Sequence, residues 1–126
     1  MEKFSFKKCM SMMRSKDAQT QEDGFHWLLP HASECIPQLI AEFRSEKQLG
    51  LRCWLLELIG SAESPDAFDF LGEQLRCDDN AFRFWAIAGL KNLDTKESRT
   101  LLWEARSLSF ETPKETAEFR SWLDAD

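Results

Sequence analysis

The side chains able to do chemistry are few and far apart. The two histidines, His26 and His31, stand five residues apart. Paired ligands on one helix face need a spacing of three or four. Neither histidine is followed by glutamate, so no His-Glu metal set forms, and each reads as an exposed polar residue or a partial cap. The four cysteines, Cys9, Cys35, Cys53 and Cys77, include no C-x-x-C pair and sit near no histidine cluster. They read as small buried thiols, neither a zinc site nor a disulfide framework. Asp66 and Asp69 form an i, i+3 pair, and Asp78 and Asp79 are adjacent. General acid–base work needs carboxylates held apart across a substrate. At the starts of helices these acids instead complement the helix dipole. No phosphate-cradling glycine loop, nucleophile elbow or H-E-x-x-H motif occurs. The expectation is a non-enzymatic chain without metal or cofactor.

One further combination looks chemical. Residues 83–90, RFWAIAGL, bring Arg83 and Trp85 together, and residues 52–59, RCWLLELI, repeat the pattern with Arg52 and Trp54. The interval is 31 residues, and it extends well beyond these pairs. Leu39-Ile40, Phe70-Leu71 and Leu101-Leu102 share it, as do Glu42, Glu73 and Glu104. Leu51 matches Phe82, and Ile59 matches Leu90. One interval earlier Phe25 matches Leu56 and Leu28 matches Ile59, with Gln21 in the arginine slot. Trp54 and Trp85, as aromatics at repeat spacing, read as core.

The elements carrying these residues are helical from Ala18 onward, with almost no strand alternation and turn signals at regular intervals. Ahead of residue 17 the pattern is loose, with Phe4, Met10 and Met13 on one face of a short helix. Ser64-Pro65-Asp66 supplies a cap, a proline at the first helical position and an acid. Asp78 or Asp79 caps the helix of Arg83, and Thr95-Lys96-Glu97 opens the next. Thr112, Pro113 and Glu115 spell a capping box, after which Phe119, Trp122 and Leu123 form an apolar side. Gly60 is expected to end the helix of Trp54, and Pro30 to end the first helix. Pro37 fits the first turn of a helix capped near Ser33 or Glu34.

The quoted pattern resembles the short bacterial type of HEAT-like helical hairpin repeat. "DDNAFRFWAIAGLKNLDTKESRTLLWEA", Asp78 to Ala105, carries the upstream acid, the arginine and the small and aliphatic run ending near glycine. "LGLRCWLLELIGSAESPDAFDFLGEQL", Leu49 to Leu75, fits with Gln48 in place of the acid. An earlier copy, about Thr20 to Phe43, keeps only the apolar register, so the resemblance covers roughly residues 18–106. It implies an all-α fold: a right-handed α-α superhelix, a short solenoid of about three hairpins with a C-terminal capping helix. The whole chain, 1–126, is then one domain with repeats at about 18–48, 49–79 and 80–110 and a cap at 112–124.

The resemblance also assigns roles. Arg83 and Arg52 would fasten their helices to the preceding turn through an acid or backbone carbonyls, with Asp79 the nearest acid to Arg83. Trp54 and Trp85 would face the paired helix, where the family usually has a small residue. The slots after the arginine face the inner surface: Glu22, Phe25 and His26, then Cys53, Leu56 and Glu57, then Phe84, Ile87 and Ala88, with Lys91 one turn on. Phe84 departs from the charged or polar residue usual there. Phe25, His26, Cys53, Leu56, Glu57, Phe84, Ile87 and Lys91 are therefore the candidate partner-binding residues. A terminus lying over Phe84 is the competing account.

Charge points the same way. The formal net charge is −6, and it all resides in residues 61–126, with fourteen acids and eight bases. DNA glycosylases of related helical-repeat design cradle DNA on a basic face, for which Arg44, Lys47, Arg52, Arg76, Arg83, Arg99 and Arg106 would be needed. Abundant acids disfavour that nucleic-acid-binding or DNA-repair-like alternative. A basic protein partner suits the charge better. No apolar run is long enough to span a membrane, and the first residues are too polar for a secretory signal, so a cytoplasmic location is expected. Small bacterial proteins with such repeats include immunity proteins that occlude a cognate toxin, and this chain is similar to them in length and acidity.

Overall fold

Helical periodicity becomes helix throughout. The computed structural model describes residues 3–125 and contains eight α-helices: α1 (Phe6–Met13), α2 (Ala18–Leu28), α3 (Ile36–Ser45), α4 (Leu49–Ser61), α5 (Phe68–Leu75), α6 (Asn80–Leu93), α7 (Lys96–Glu104) and α8 (Pro113–Asp124). Short 3-10 turns occupy Leu29–Glu34, Pro65–Ala67 and Ala105–Ser107, and no strand occurs among the described residues. α1 packs on α2, α3 on α4, α5 on α6, and α7 on α6. A second set of contacts joins α2 to α4, α4 to α6, and α6 to α8.

The 31-residue echo is visible in the hydrogen bonds. Asp17 accepts from the Thr20 amide at 2.9 Å, Gln48 from Leu51 at 3.0 Å and Asp79 from Phe82 at 3.0 Å, so each inner helix opens on a side-chain cap at the same register. The glutamine amide oxygen does at α4 what a carboxylate does at α2 and α6. Four residues on, Gln21 donates to the Ser15 carbonyl, Arg52 Nε to Phe43 at 3.0 Å and Arg83 Nη1 to Cys77 at 2.7 Å. All three tie a helix to the end or turn of the helix before it. At α2 a glutamine makes the bond that an arginine makes at α4 and α6.

Helix ends follow the same interval. Glu63 and Asp94 both adopt left-handed backbone, with φ of 51° and 48°. They stop α4 and α6 where a glycine would usually do so. Gly60 is therefore not a terminator, since α4 runs through it to Ser61. Its missing side chain serves a close approach: a Cβ there would lie 2.9 Å from the Gly89 Cα on α6, and a Cβ on Gly89 would lie 2.8 Å from the Gly60 Cα. α4 and α6 touch backbone to backbone. α3 is capped at Cys35, later than Ser33 or Glu34, with Pro37 inside its first turn.

The core runs the length of the chain, from Cys9, Met10 and Met13 through Leu28, Leu39, Leu55, Leu58, Leu71 and Leu90 to Phe119. Met10 and Met13 give α1 its buried face, and Phe4 meets Trp27 edge-on at 6.3 Å. The outer helices are laced by exposed ion pairs, Arg14 to Glu42 at 2.7 Å and Arg44 to Glu73 at 2.9 Å. Such pairs fix register more than they stabilise. Glu104, the third acid of that series, has no ion pair among the described residues.

Candidate functional site

Residues one interval apart occupy equivalent places on neighbouring helices, and packed helices lie about 8–10 Å apart. Three rows therefore cross α2, α4 and α6: Glu22, Cys53 and Phe84; Asp23, Trp54 and Trp85; His26, Glu57 and Ala88. All nine are exposed or half-buried. The next row, Phe25, Leu56 and Ile87, is buried at 7%, 0% and 2% exposure. Those three are core residues, because the seams between α2, α4 and α6 close over them, and they offer a partner no surface.

Phe84 is 36% exposed. Its ring meets Trp85 at 5.1 Å and the α8 residue Trp122 at 5.2 Å, both edge-to-face. α8 thus covers one flank of Phe84 and leaves the rest open. Trp54 packs on Phe25 at 5.1 Å. Neither Trp54 nor Trp85 is enclosed between helices; both lean on the core and keep a solvent edge, while Leu55 and Ala86 fill the enclosed slots. Lys91 is not open to a partner, since its Nζ donates to the Trp122 carbonyl at 2.6 Å and also to the Ala125 carbonyl. It fastens the end of α8.

Glu57 is half-buried and has no hydrogen bond or ion pair among the described residues. Burial pushes its carboxyl up from the ordinary value, and the nearby His26 opposes that rise. Burial likewise raises all four thiols; at Cys53 the Asp79 charge adds to the rise and Arg52 opposes it. Each thiol is free. Cys9 and Cys35 are buried and Cys53 and Cys77 only partly so. His31 is tied up locally, with Nδ1 2.9 Å from Glu34 and its ring stacked 4.0 Å from Phe4.

Arg83 is an internal group at 1% exposure. Besides Cys77 it donates to Asn80 Oδ1 at 3.2 Å and to Glu115 of α8 at 3.4 Å, and it lies 4.0 Å over the Phe110 ring. Its acid is Glu115, not Asp79, whose carboxylate is taken by the cap. Glu115 accordingly leaves the reciprocal half of the capping box unmade, although Thr112 still accepts from the Glu115 amide at 3.1 Å. Arg83 Nε has no hydrogen-bond partner; it is part of the guanidinium that faces Phe110.

Three clefts line the turn edge of the molecule, bordered in order by Gln21, Arg52 and Arg83. The cleft at Arg83, about 280 Å³, mixes Arg76 with Asp78, Glu111 and Glu115. Arg44, Arg52, Arg76, Arg83, Arg99 and Arg106 all have partners within the chain, which leaves no row of free guanidinium groups. Comparisons with family models, with curated proteins and with solved structures return no match. Among the described residues, no three His, Cys, Asp or Glu side chains gather as a metal site, and no helix is long and apolar enough to cross a membrane.

Two contributors escaped the sequence reading. Asp23 belongs to the inner rows and was hidden because its slot partners are tryptophans. Trp122 was assigned to the cap's apolar side, and only the packing of α8 on α6 brings it beside Phe84. Trp103, 70% exposed on α7 with Arg106 stacked 5.0 Å above it, lies away from this face.

Proposed function

We propose that the chain is a non-enzymatic protein-binding module, a short HEAT-like solenoid whose right-handed superhelix presents α2, α4, α6 and α8 to a partner. The single observation behind this is Phe84. An aromatic ring sits 36% exposed, held edge-to-face by two tryptophans that leave the rest of it open. Rigid aromatics of this kind make binding hot spots because little side-chain entropy remains to be lost. Such a module serves either as a general adaptor or as an immunity protein; in the second role the acidic module occludes the site of a basic toxin domain within the cytoplasm, without turnover.

The test is direct. Wild-type and Phe84→Ala protein are titrated against the C-terminal domain encoded by the adjacent reading frame, and growth is followed with both expressed. Binding and protection by wild type, with affinity lowered at least about tenfold in Phe84→Ala, supports the reading. Equal affinity of the folded variant removes this face, and no binding removes immunity.

A further inference from the structure

The same face is not uniform along its length. At α2 and α4 it carries Glu22, Asp23 and Glu57, with His26 and the half-buried Trp54 beside them, and none of the three acids is in an ion pair among the described residues. Asp23 accepts only from the neutral Gln19 amide, at 2.9 Å. At α6 and α8 it carries Phe84, Trp85, Ala88 and Trp122, and Lys91 of α6 is held by carbonyls. The change from acid to aromatic takes place across about two helix diameters, on the order of 20 Å.

We infer that the partner element this face takes is graded along its length, basic where it crosses α2 and α4 and apolar where it crosses α6 and α8. The inference rests on the binding-module reading and names the chemistry of its partner. Glu57 decides the occupant. A neutral apolar element laid over this half-buried carboxylate would strip its remaining water and leave it either charged and unpaired or forced to take up a proton, both unfavourable at neutral pH. A lysine or arginine placed there keeps the charge and gains a pair, and the exposed Glu22 and Asp23 extend the attraction to the encounter step. A phosphate backbone meets three acids and no free cation on these rows. The aromatic end asks the opposite of its occupant, because Phe84 and Trp122 reward apolar burial.

The probe is a synthetic helical peptide with lysine and arginine at one end and leucine and tryptophan at the other, made in both chain directions. Its control has the same composition with the charges interleaved. Peptides carry a paramagnetic tag at either end, and broadening is read on the full-length protein by NMR. Expected are tighter binding of a graded peptide by about tenfold, broadening of His26 by the basic-end tag, and broadening of the Trp85 and Trp122 indoles by the apolar-end tag. Glu22→Lys, an exposed change that leaves the core intact, weakens the graded peptide and not the interleaved one. Glu57→Gln does the same, and Phe84→Ala weakens both. If both peptides bind equally, Phe84→Ala weakens them and Glu22→Lys does not, the graded partner is overturned and the binding face stands. If no peptide perturbs these resonances, both readings fall.

Discussion

Replacing Arg83 by alanine separates a fastening from a working residue. The side chain is 1% exposed and donates to the Cys77 carbonyl at 2.7 Å, to Asn80 at 3.2 Å and to Glu115 at 3.4 Å. Alanine strands the Cys77 carbonyl beside a void and removes the cation under Phe110. An unsatisfied buried acceptor costs about 1–3 kcal/mol. Glu115 keeps a solvent edge, so losing its buried partner adds only modestly, and the total expected is about 2–4 kcal/mol. Arg52→Ala loses one hydrogen bond and the cation–π contacts with Phe43 and Phe82 from a half-buried side chain, so about 1–2 kcal/mol is expected. Urea unfolding at neutral pH reads both as shifts of midpoint at constant slope. Removing Glu115 as well should cost less than the sum of the single changes, because the pair interacts. An Arg83→Ala protein as stable as wild type, or one less affected than Arg52→Ala, would refute the fastening role. A stable variant that had lost partner binding would make Arg83 part of the binding site.

Gly89→Ala should destabilise by about 1–3 kcal/mol despite the better helix propensity of alanine, because its Cβ would meet the α4 backbone; thermal unfolding that shows a gain would contradict the contact. Glu63→Gly should stabilise by about 0.5–1 kcal/mol by removing a left-handed non-glycine residue, read as a raised urea midpoint. Glu57→Gln should raise the melting temperature at neutral pH. Its folded carboxyl lies above the unfolded value, so ionisation there disfavours the fold. That gain shrinks as pH falls through the folded pKa and vanishes below the unfolded one, and a gain that grew on acidification would be inconsistent with it. All four thiols should alkylate slowly in the native protein, with Cys9 and Cys35 protected until unfolding, as mass spectrometry of quenched samples would show.

The helical class was legible because apolar periodicity and cap residues are local. Asp79, Thr95 and Thr112 cap where the sequence places them. The register rows were legible too, since a fixed interval on stacked helices becomes a line in space. What stayed hidden depends on the partner across a seam. Leu56 and Ile87 share the general aspect of the inner face, yet the approach of the neighbouring helix buries them. Gly60 looks like a stop until Gly89 is found against it, and Glu63 gives no sign of taking over that task. The destination of Glu115 could not be read from its own capping motif, because the competing donor comes from Arg83 on α6.

The three ties from Gln21, Arg52 and Arg83 end on main-chain carbonyls, and every residue has one. Their targets, Ser15, Phe43 and Cys77, share no side-chain chemistry. The tie itself therefore makes no demand on side-chain type at its acceptor, although Phe43 is held by the core and Asp17, Gln48 and Asp79 by their caps, whereas the tying slot admits only a long side chain bearing an N–H donor. In a saturation mutagenesis map, tolerance would fall at residues 21, 52 and 83 and again four residues earlier at the caps, while Ser15 and Cys77, which serve the ties only through their carbonyls, would accept wider replacement.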